Sequence, residues 1–183
     1  MAGNGCGRFF NSLMKDNSAE IFPIVDEHGN TVGSATRGEC HSGSMLLHPV
    51  VHLHLFNSRG ELYLQRRPDW KDIQPDKWDT ATGGHVDYGE SVAEALKREV
   101  SEELGLSGLE FRYIKSYVFE SNVEREYVNV FTAVSDIEPS PSNELNGGSF
   151  WKKDDIEAAI GSGVLTPNFE SEYINLVRHI TNE

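Results

Sequence analysis

Apolar and polar residues alternate along this chain in short runs, with helical spacing confined to a few stretches. Glu20–Asp26 is a short apolar run, and Glu27-His28-Gly29-Asn30 carries turn residues. Thr31–Thr36 then reads as a return strand, which predicts an N-terminal hairpin. Pro49–Asn57 predicts a strand with His52 and His54 on one face, and Glu61–Arg66 alternates as its successor. Trp78–Thr82 predicts a further short strand. Ser91–Leu104 is the clearest helix: Val92, Ala95, Leu96 and Val100 form an apolar stripe, Ser91 can cap its start and Gly105 its end. Phe111–Glu120 and Glu126–Val134 alternate as two more strands, and Pro139–Gly148 reads as a loop. Asp154 is expected to cap a helix over Asp155–Ile160, and Glu170–Ile180 reads as a final amphipathic helix.

Length and composition narrow this picture. The 183 residues suit one domain, read as 19–183, behind a leader at 1–18 that is rich in Gly, Asn and Ser. Hydrophobic residues make up 38% and charged residues 25%, an ordinary profile for a soluble protein. No stretch approaches the roughly 18 apolar residues of a membrane span, and the N-terminus has no apolar signal core. Two cysteines, Cys6 and Cys40, make no disulfide framework. A cytoplasmic enzyme or binding protein with no membrane partner is the expectation. The net charge of −13 disfavours nucleic acid, whose phosphates are held by Lys and Arg. A small phosphorylated ligand stays open if carboxylates recruit cations to meet it.

The carboxylates of the central helix have a suitable arrangement. Glu99, Glu102 and Glu103 are three and four residues apart at the extremes, so they share one face. Crowded like charges raise each other's pKa unless a cation lies between them, and three carboxylates suit a hard divalent ion such as Mg²⁺ or Mn²⁺. Arg98 could reach Glu102, and Gly83-Gly84 upstream allow close backbone approach to a ligand. A solvated acidic helix face is the alternative.

The stretch GHVDYGESVAEALKREVSEELGL, from Gly84 to Leu106, resembles the Nudix box. Gly84, Glu90, Arg98, Glu99, Val100, Glu102, Glu103, Gly105 and Leu106 fill every fixed position of that pattern. The likeness in element order runs over about residues 20–180. It implies an α/β (α+β) Nudix fold: a mixed sheet between helices, an α/β/α sandwich, here with an N-terminal β-hairpin. It also implies Glu99, Glu102 and Glu103 as metal ligands, with the Gly83 carbonyl as a fourth, on the diphosphate of a nucleoside diphosphate joined to another moiety. Gly84, Glu90 and Arg98 then organise the box. Glu103, with Glu102, is the choice to orient or deprotonate the attacking water. The implied activity is a metal-dependent diphosphohydrolase, and dimerisation is common in the family.

A second resemblance involves the histidines. The run VDEHGNTVGSATRGECHSGSMLLHPVVHLHLFNSRGELYLQRR is similar to the N-terminal half of type 1 isopentenyl-diphosphate isomerases, which share the fold. That likeness implies a second metal set of His41, His48, His85, Glu124 and Glu126. The isomerases also need a cysteine where this chain has Gly83, so the resemblance favours a hydrolase with an isomerase-like hairpin. Glu126 could also act as general base. Ordinary loop roles for His41 and His48, and exposed strand charges for Glu124 and Glu126, are the alternatives; His52 and His54 are expected to be packed or surface residues. For substrate contacts Arg66 and Lys71 are the cations, and Tyr88 lies at the box loop tip. Specificity is expected from residues 67–77 and 135–150. The other functional class is a sensor that binds a nucleotide without cleaving it, which the complete box disfavours.

Overall fold

A computed structural model describes residues 17–71, 74–142 and 145–180. The leader at 1–18 therefore lies outside the described residues, apart from Asn17 and Ser18, which are exposed. The same holds for residues 72, 73, 143 and 144 of the two expected specificity loops.

The hairpin forms as expected from β1 (Ile21–Val25) and β2 (Thr31–Thr36). A four-residue helix the pattern did not show, α1 (Arg37–Cys40), follows. Then come β3 (Leu47–Phe56), β4 (Leu62–Arg66), β5 (Trp78–Asp79), β6 (Thr82–His85) and α2 (Val92–Leu104). The chain continues through β7 (Arg112–Glu120), β8 (Arg125–Val134), β9 (Gly148–Trp151), α3 (Lys153–Ala159), α4 (Pro167–Asn175) and a 3₁₀ turn, Val177–His179.

Seven strands make a mixed sheet with the path β5-β4-β3-β8-β7; β6 also pairs with β3, and β9 with β4. β3 and β8 are parallel over ten rungs, from Leu47↔Arg125 to Phe56↔Val134. Alternation along the strands then sorts side chains into layers. Val51, Leu53, Leu55 and Tyr63 meet Ala95, Leu96, Val100 and Leu104 of α2 on one face. Leu62 and Leu64 meet Ile156, Phe169, Tyr173 and Val177 on the other. This is the helix–sheet–helix sandwich expected. Each buried Leu or Val of these layers contributes about 1.5–3 kcal/mol.

Local chemistry moved several boundaries. The strand expected over Trp78–Thr82 is two short strands with Thr80 and Ala81 between them. The Thr80 hydroxyl donates to the Leu53 carbonyl there. The last helix starts earlier than Glu170 because Thr166 caps it and Pro167, with its fixed φ, suits the first turn. It ends at Asn175 and tightens into the 3₁₀ turn rather than reaching Ile180. Asp154 does not cap α3. Lys152 occupies that place without a side-chain bond, and Asp154 and Asp155 lie in the first turn, where the helix dipole favours acids. Gly148 begins β9 rather than ending a loop, because Gln65↔Gly148 through Leu62↔Trp151 register this segment on β4.

Candidate active site

The carboxylate helix starts with a complete capping box. Ser91 accepts from the Glu94 N–H, and the Glu94 carboxylate accepts from the Ser91 N–H at 2.8 Å. Gly105 closes the helix in the left-handed region, φ 64°. With both ends fixed and its apolar stripe buried, α2 presents Arg98, Glu99 and Glu102 beside the Gly83–His85 strand.

Arg98 is the hub of this region. Its Nε and Nη2 donate to the two oxygens of Glu90 at 3.0 and 2.9 Å. Nη1 donates to Glu99 at 2.7 Å and reaches Glu102 at 3.4 Å. Nη2 also donates to the His85 carbonyl at 3.0 Å. These hydrogen bonds, Glu90's first, raise the Arg98 pKa, and the guanidinium lowers that of Glu90. The Glu90 carboxylate further accepts from the Asp87 N–H at 3.1 Å and so ties the loop to the helix. Glu99 folds across Gly84 so closely that a Cβ there would coincide with its carboxylate. Glu103 is turned inward and buried, with 9% exposed.

A second cluster stands on the opposite face of the same strand. His41 ends α1, a turn fixed by a capping box between Thr36 and Glu39. His48 starts β3, directly across from Glu126 of β8. His85 ends β6. The Nε2 atoms of His41 and His85 are 3.2 Å apart, and His41 Nε2 is 3.4 Å from Glu124. Phe22 of the hairpin stacks on His85 with ring centroids 4.4 Å apart and the ring planes nearly parallel, and holds the ring in place.

Among the described residues, two sets of three bring ligand atoms within 4.8 Å of each other. One is His41, His48 and His85; the other is His48, Glu124 and Glu126. His48 Nδ1 lies 3.0 Å from the Leu46 carbonyl, while its buried Nε2 has no hydrogen-bond partner. A buried nitrogen with no partner, among imidazoles and carboxylates, fits a borderline divalent cation. Burial, with Arg37 and the neighbouring histidines, keeps the His85 pKa well below the ordinary value; burial also lowers that of His48. Neutral imidazoles are the form that binds metal. Burial, and then Glu124, push the Glu126 carboxyl up to about 7. The carboxylates of Glu99, Glu102 and Glu103 are not one of the converging sets, since Arg98 holds the first two.

The expected substrate contacts are spread out. Arg66 pairs with Asp76 at 2.8 Å, and Lys71 lies over the Trp70 ring at 5.0 Å. Tyr88 is 60% exposed, and its N–H donates to the Ile21 carbonyl, joining the box loop to the hairpin.

His52 and His54 are packed, as expected, but their shared partner was not foreseen. His52 Nδ1 is 3.1 Å and His54 Nε2 2.7 Å from Glu172 Oε2, and the Tyr117 hydroxyl donates to Oε1 at 2.9 Å. Burial lowers the His52 pKa, but the charge and hydrogen bond of Glu172 outweigh it and lift the ring to about 9. Burial alone would raise Glu172; the two histidines hold it well below the usual carboxylate range. A signal did exist in sequence: Glu172 is an acid on the apolar side of its helix.

Comparison with known proteins bears on the family and the fold. A family model described as the NUDIX domain matches residues 46–169. An uncharacterised Nudix hydrolase of Pseudomonas aeruginosa is 39% identical over 118 residues, 64% of this chain and 69% of that protein. An isopentenyl-diphosphate Delta-isomerase of Saccharopolyspora erythraea is 31% identical over 135 residues, 70% of this chain and 69% of that enzyme. A crystal structure of a Deinococcus radiodurans protein superposes with a TM-score of 0.72 at 28% identity, covering 83% of this chain and 96% of that one. A MutT protein of Methanosarcina mazei gives 0.61 at 25% identity, covering 72% and 94%.

Proposed function

The chain belongs to the Nudix hydrolase family, a diphosphohydrolase family that uses divalent metal ions, and we propose that it cleaves an organic diphosphate of the nucleoside diphosphate–X kind with Mg²⁺ or Mn²⁺. The observation that carries this reading is the locked box: Arg98 joined to Glu90, Glu99 and the His85 carbonyl, with Glu99 laid across Gly84. A domain of residues 19–183 behind a leader would be the working unit, in the cytoplasm.

Glu99, Glu102 and Glu103, with the Gly83 carbonyl, are the residues we assign to hold the catalytic ion. When bound, such an ion offsets phosphate charge and lowers the pKa of water. The buried Glu103 orients the attacking water, and Glu102 assists. Arg98 and Glu90 keep the helix and loop in register while charge develops on the phosphate. Arg66, Lys71 and Tyr88 line the approach to the diphosphate. His41, His48, His85, Glu124 and Glu126 form a second cation site, with Glu126 also positioned to take a proton.

The test is a panel of nucleoside triphosphates, nucleotide sugars, dinucleotides, coenzyme A and prenyl diphosphates, each with Mg²⁺ or Mn²⁺. Hydrolysis of at least one that falls 100-fold or more in Glu102→Gln and Glu103→Gln supports the assignment. Unchanged turnover in both variants removes the box from catalysis.

The histidine cluster favours a second reading, an isopentenyl-diphosphate isomerase-like enzyme, since its donor atoms converge. Gly83 opposes it, because no thiol stands at that position for proton transfer at carbon. Conversion of isopentenyl diphosphate to its allylic isomer by the purified protein would establish it.

A further inference from the structure

The last turn of α2 carries Glu102 and Glu103, and it ends in carbonyls that the helix itself cannot satisfy. The Gly105 N–H donates to the Ser101 carbonyl at 3.1 Å. The carbonyls of Glu103 and Leu104 are met from outside the helix, by the N–H groups of Ser142 and Ser140, each at 2.9 Å. These donors belong to the segment that follows β8.

The sequence there, Pro139-Ser140-Pro141-Ser142, suits this contact. Ser140 and Ser142 are two residues apart and both aim their N–H groups at the helix end. The alternate positions are prolines, which have no N–H to leave without a partner. Pro141 also keeps Ser140 extended, and each proline fixes its own φ. The segment therefore has less freedom to lose on docking than an ordinary loop. Pro139 is buried and seats it. Gly105 lets it lie close, since a Cβ there would stand 3.3 Å from the Ser140 carbonyl oxygen. Further along, the Asn146 N–H donates to the Arg66 carbonyl and the Arg66 N–H to the Gly147 carbonyl, both at 2.9 Å, so the chain is pinned again on β4.

Arg98 ties the box loop to the middle of α2, but Glu103 lies more than one turn beyond it. We propose that Ser140 and Ser142 are positioning residues. Their N–H groups hold the backbone of the last turn, so that the Glu103 carboxylate keeps its direction toward the attacking water. Misplacement of a reacting group by about 1 Å can cost a factor of about 100 in rate, so a loosened helix end is enough to matter. The proposal rests on the diphosphohydrolase reading for the role of Glu103.

The test removes one donor at a time. In Ser142→Pro, kcat for the panel compound that the wild type cleaves fastest is expected to fall at least about tenfold, with KM within about threefold. Ser142→Ala, which keeps the N–H, recovers the rate. A second readout needs no metal: in chelator-treated Ser142→Pro the amides of Ser101–Leu104 exchange at least about fivefold faster, while those of Leu96–Arg98 keep their rate. A cycle with Glu103→Gln separates positioning from general loosening. In that background the effect of Ser142→Pro on kcat shrinks to within about twofold, because the group it positions is already disabled. Ser140→Pro removes the other donor and carries the same tests if Ser142→Pro fails to fold. Unchanged kcat, unchanged exchange of the last turn, or an undiminished loss in the Glu103→Gln background overturns the proposal. Failure of the diphosphohydrolase reading shows separately, as no cleavage of any panel compound or as unchanged hydrolysis in Glu102→Gln and Glu103→Gln, and takes the proposal with it.

Discussion

Gly84 has no room for a side chain, because Glu99 occupies the place its Cβ would take. Gly84→Ala must push Glu99 aside and break its bond to Arg98. The expected cost is about 1–3 kcal/mol of stability, with a drop in Mn²⁺ affinity of the box, measured by calorimetry on the purified variant. His52 gives a pH dependence. Its folded pKa of about 9 is above the ordinary 6.5, so the folded state holds this proton more tightly. The stabilisation is therefore complete below about pH 6.5 and is lost as pH rises through about 9. Thermal melts of metal-stripped protein from pH 6 to 10 should show a declining Tm, and His52→Gln should flatten the decline. At this scale the sequence was most explicit for the box, because its fixed residues lie within the one stretch from Gly84 to Leu106. The pairing of His52 with Glu172 was not legible, since it spans 120 residues, although Glu172 stands out as an acid on the apolar side of its helix.

Helix α2 was readable nearly to the residue because its signals are local: Ser91 and Glu94 cap it, the stripe repeats, and Gly105 stops it. Ser91→Ala should cost about 1 kcal/mol, read as a lower midpoint in urea with unchanged slope. Helix α4 is held differently, through the buried carboxylate of Glu172. Removing that charge in Glu172→Gln leaves His52 without its counter-ion in the interior. The expected loss is about 3–5 kcal/mol, seen in the same titration, with α4 exchanging its amides faster. Short elements escaped the pattern. α1 is one turn and β9 four residues, too brief to show a period, and each is fixed by a partner elsewhere. Arg37 N–H donates to the Glu20 carbonyl for the first, and β4 provides the ladder for the second.

Across the whole molecule, the parallel pairing of β3 with β8 sets His48 opposite Glu126. The hairpin closes over them and brings Phe22 against His85. Histidines and glutamates from four places in the chain thus meet in one volume, where we propose a cation binds. Binding to such a site stabilises only the folded state, by about 2.7 kcal/mol when metal is at 100 times its Kd. Mn²⁺ is expected to raise the Tm of the chelator-treated protein, and His48→Ala combined with Glu126→Gln to abolish most of that rise.

The sequence by itself determined the carboxylate helix and the alternating strands around it. Capping, helical spacing and strand alternation act between residues close along the chain, so they are written in order. Only the tertiary structure decided that Arg98 reaches from Glu90 to the His85 carbonyl, and that one strand divides the carboxylates from the histidines. It also decided that His52, His54 and Tyr117 share a single buried carboxylate. Those contacts depend on strand register and on which face a side chain takes. A slip of one residue would reverse the face, and nothing local to any of these residues records it.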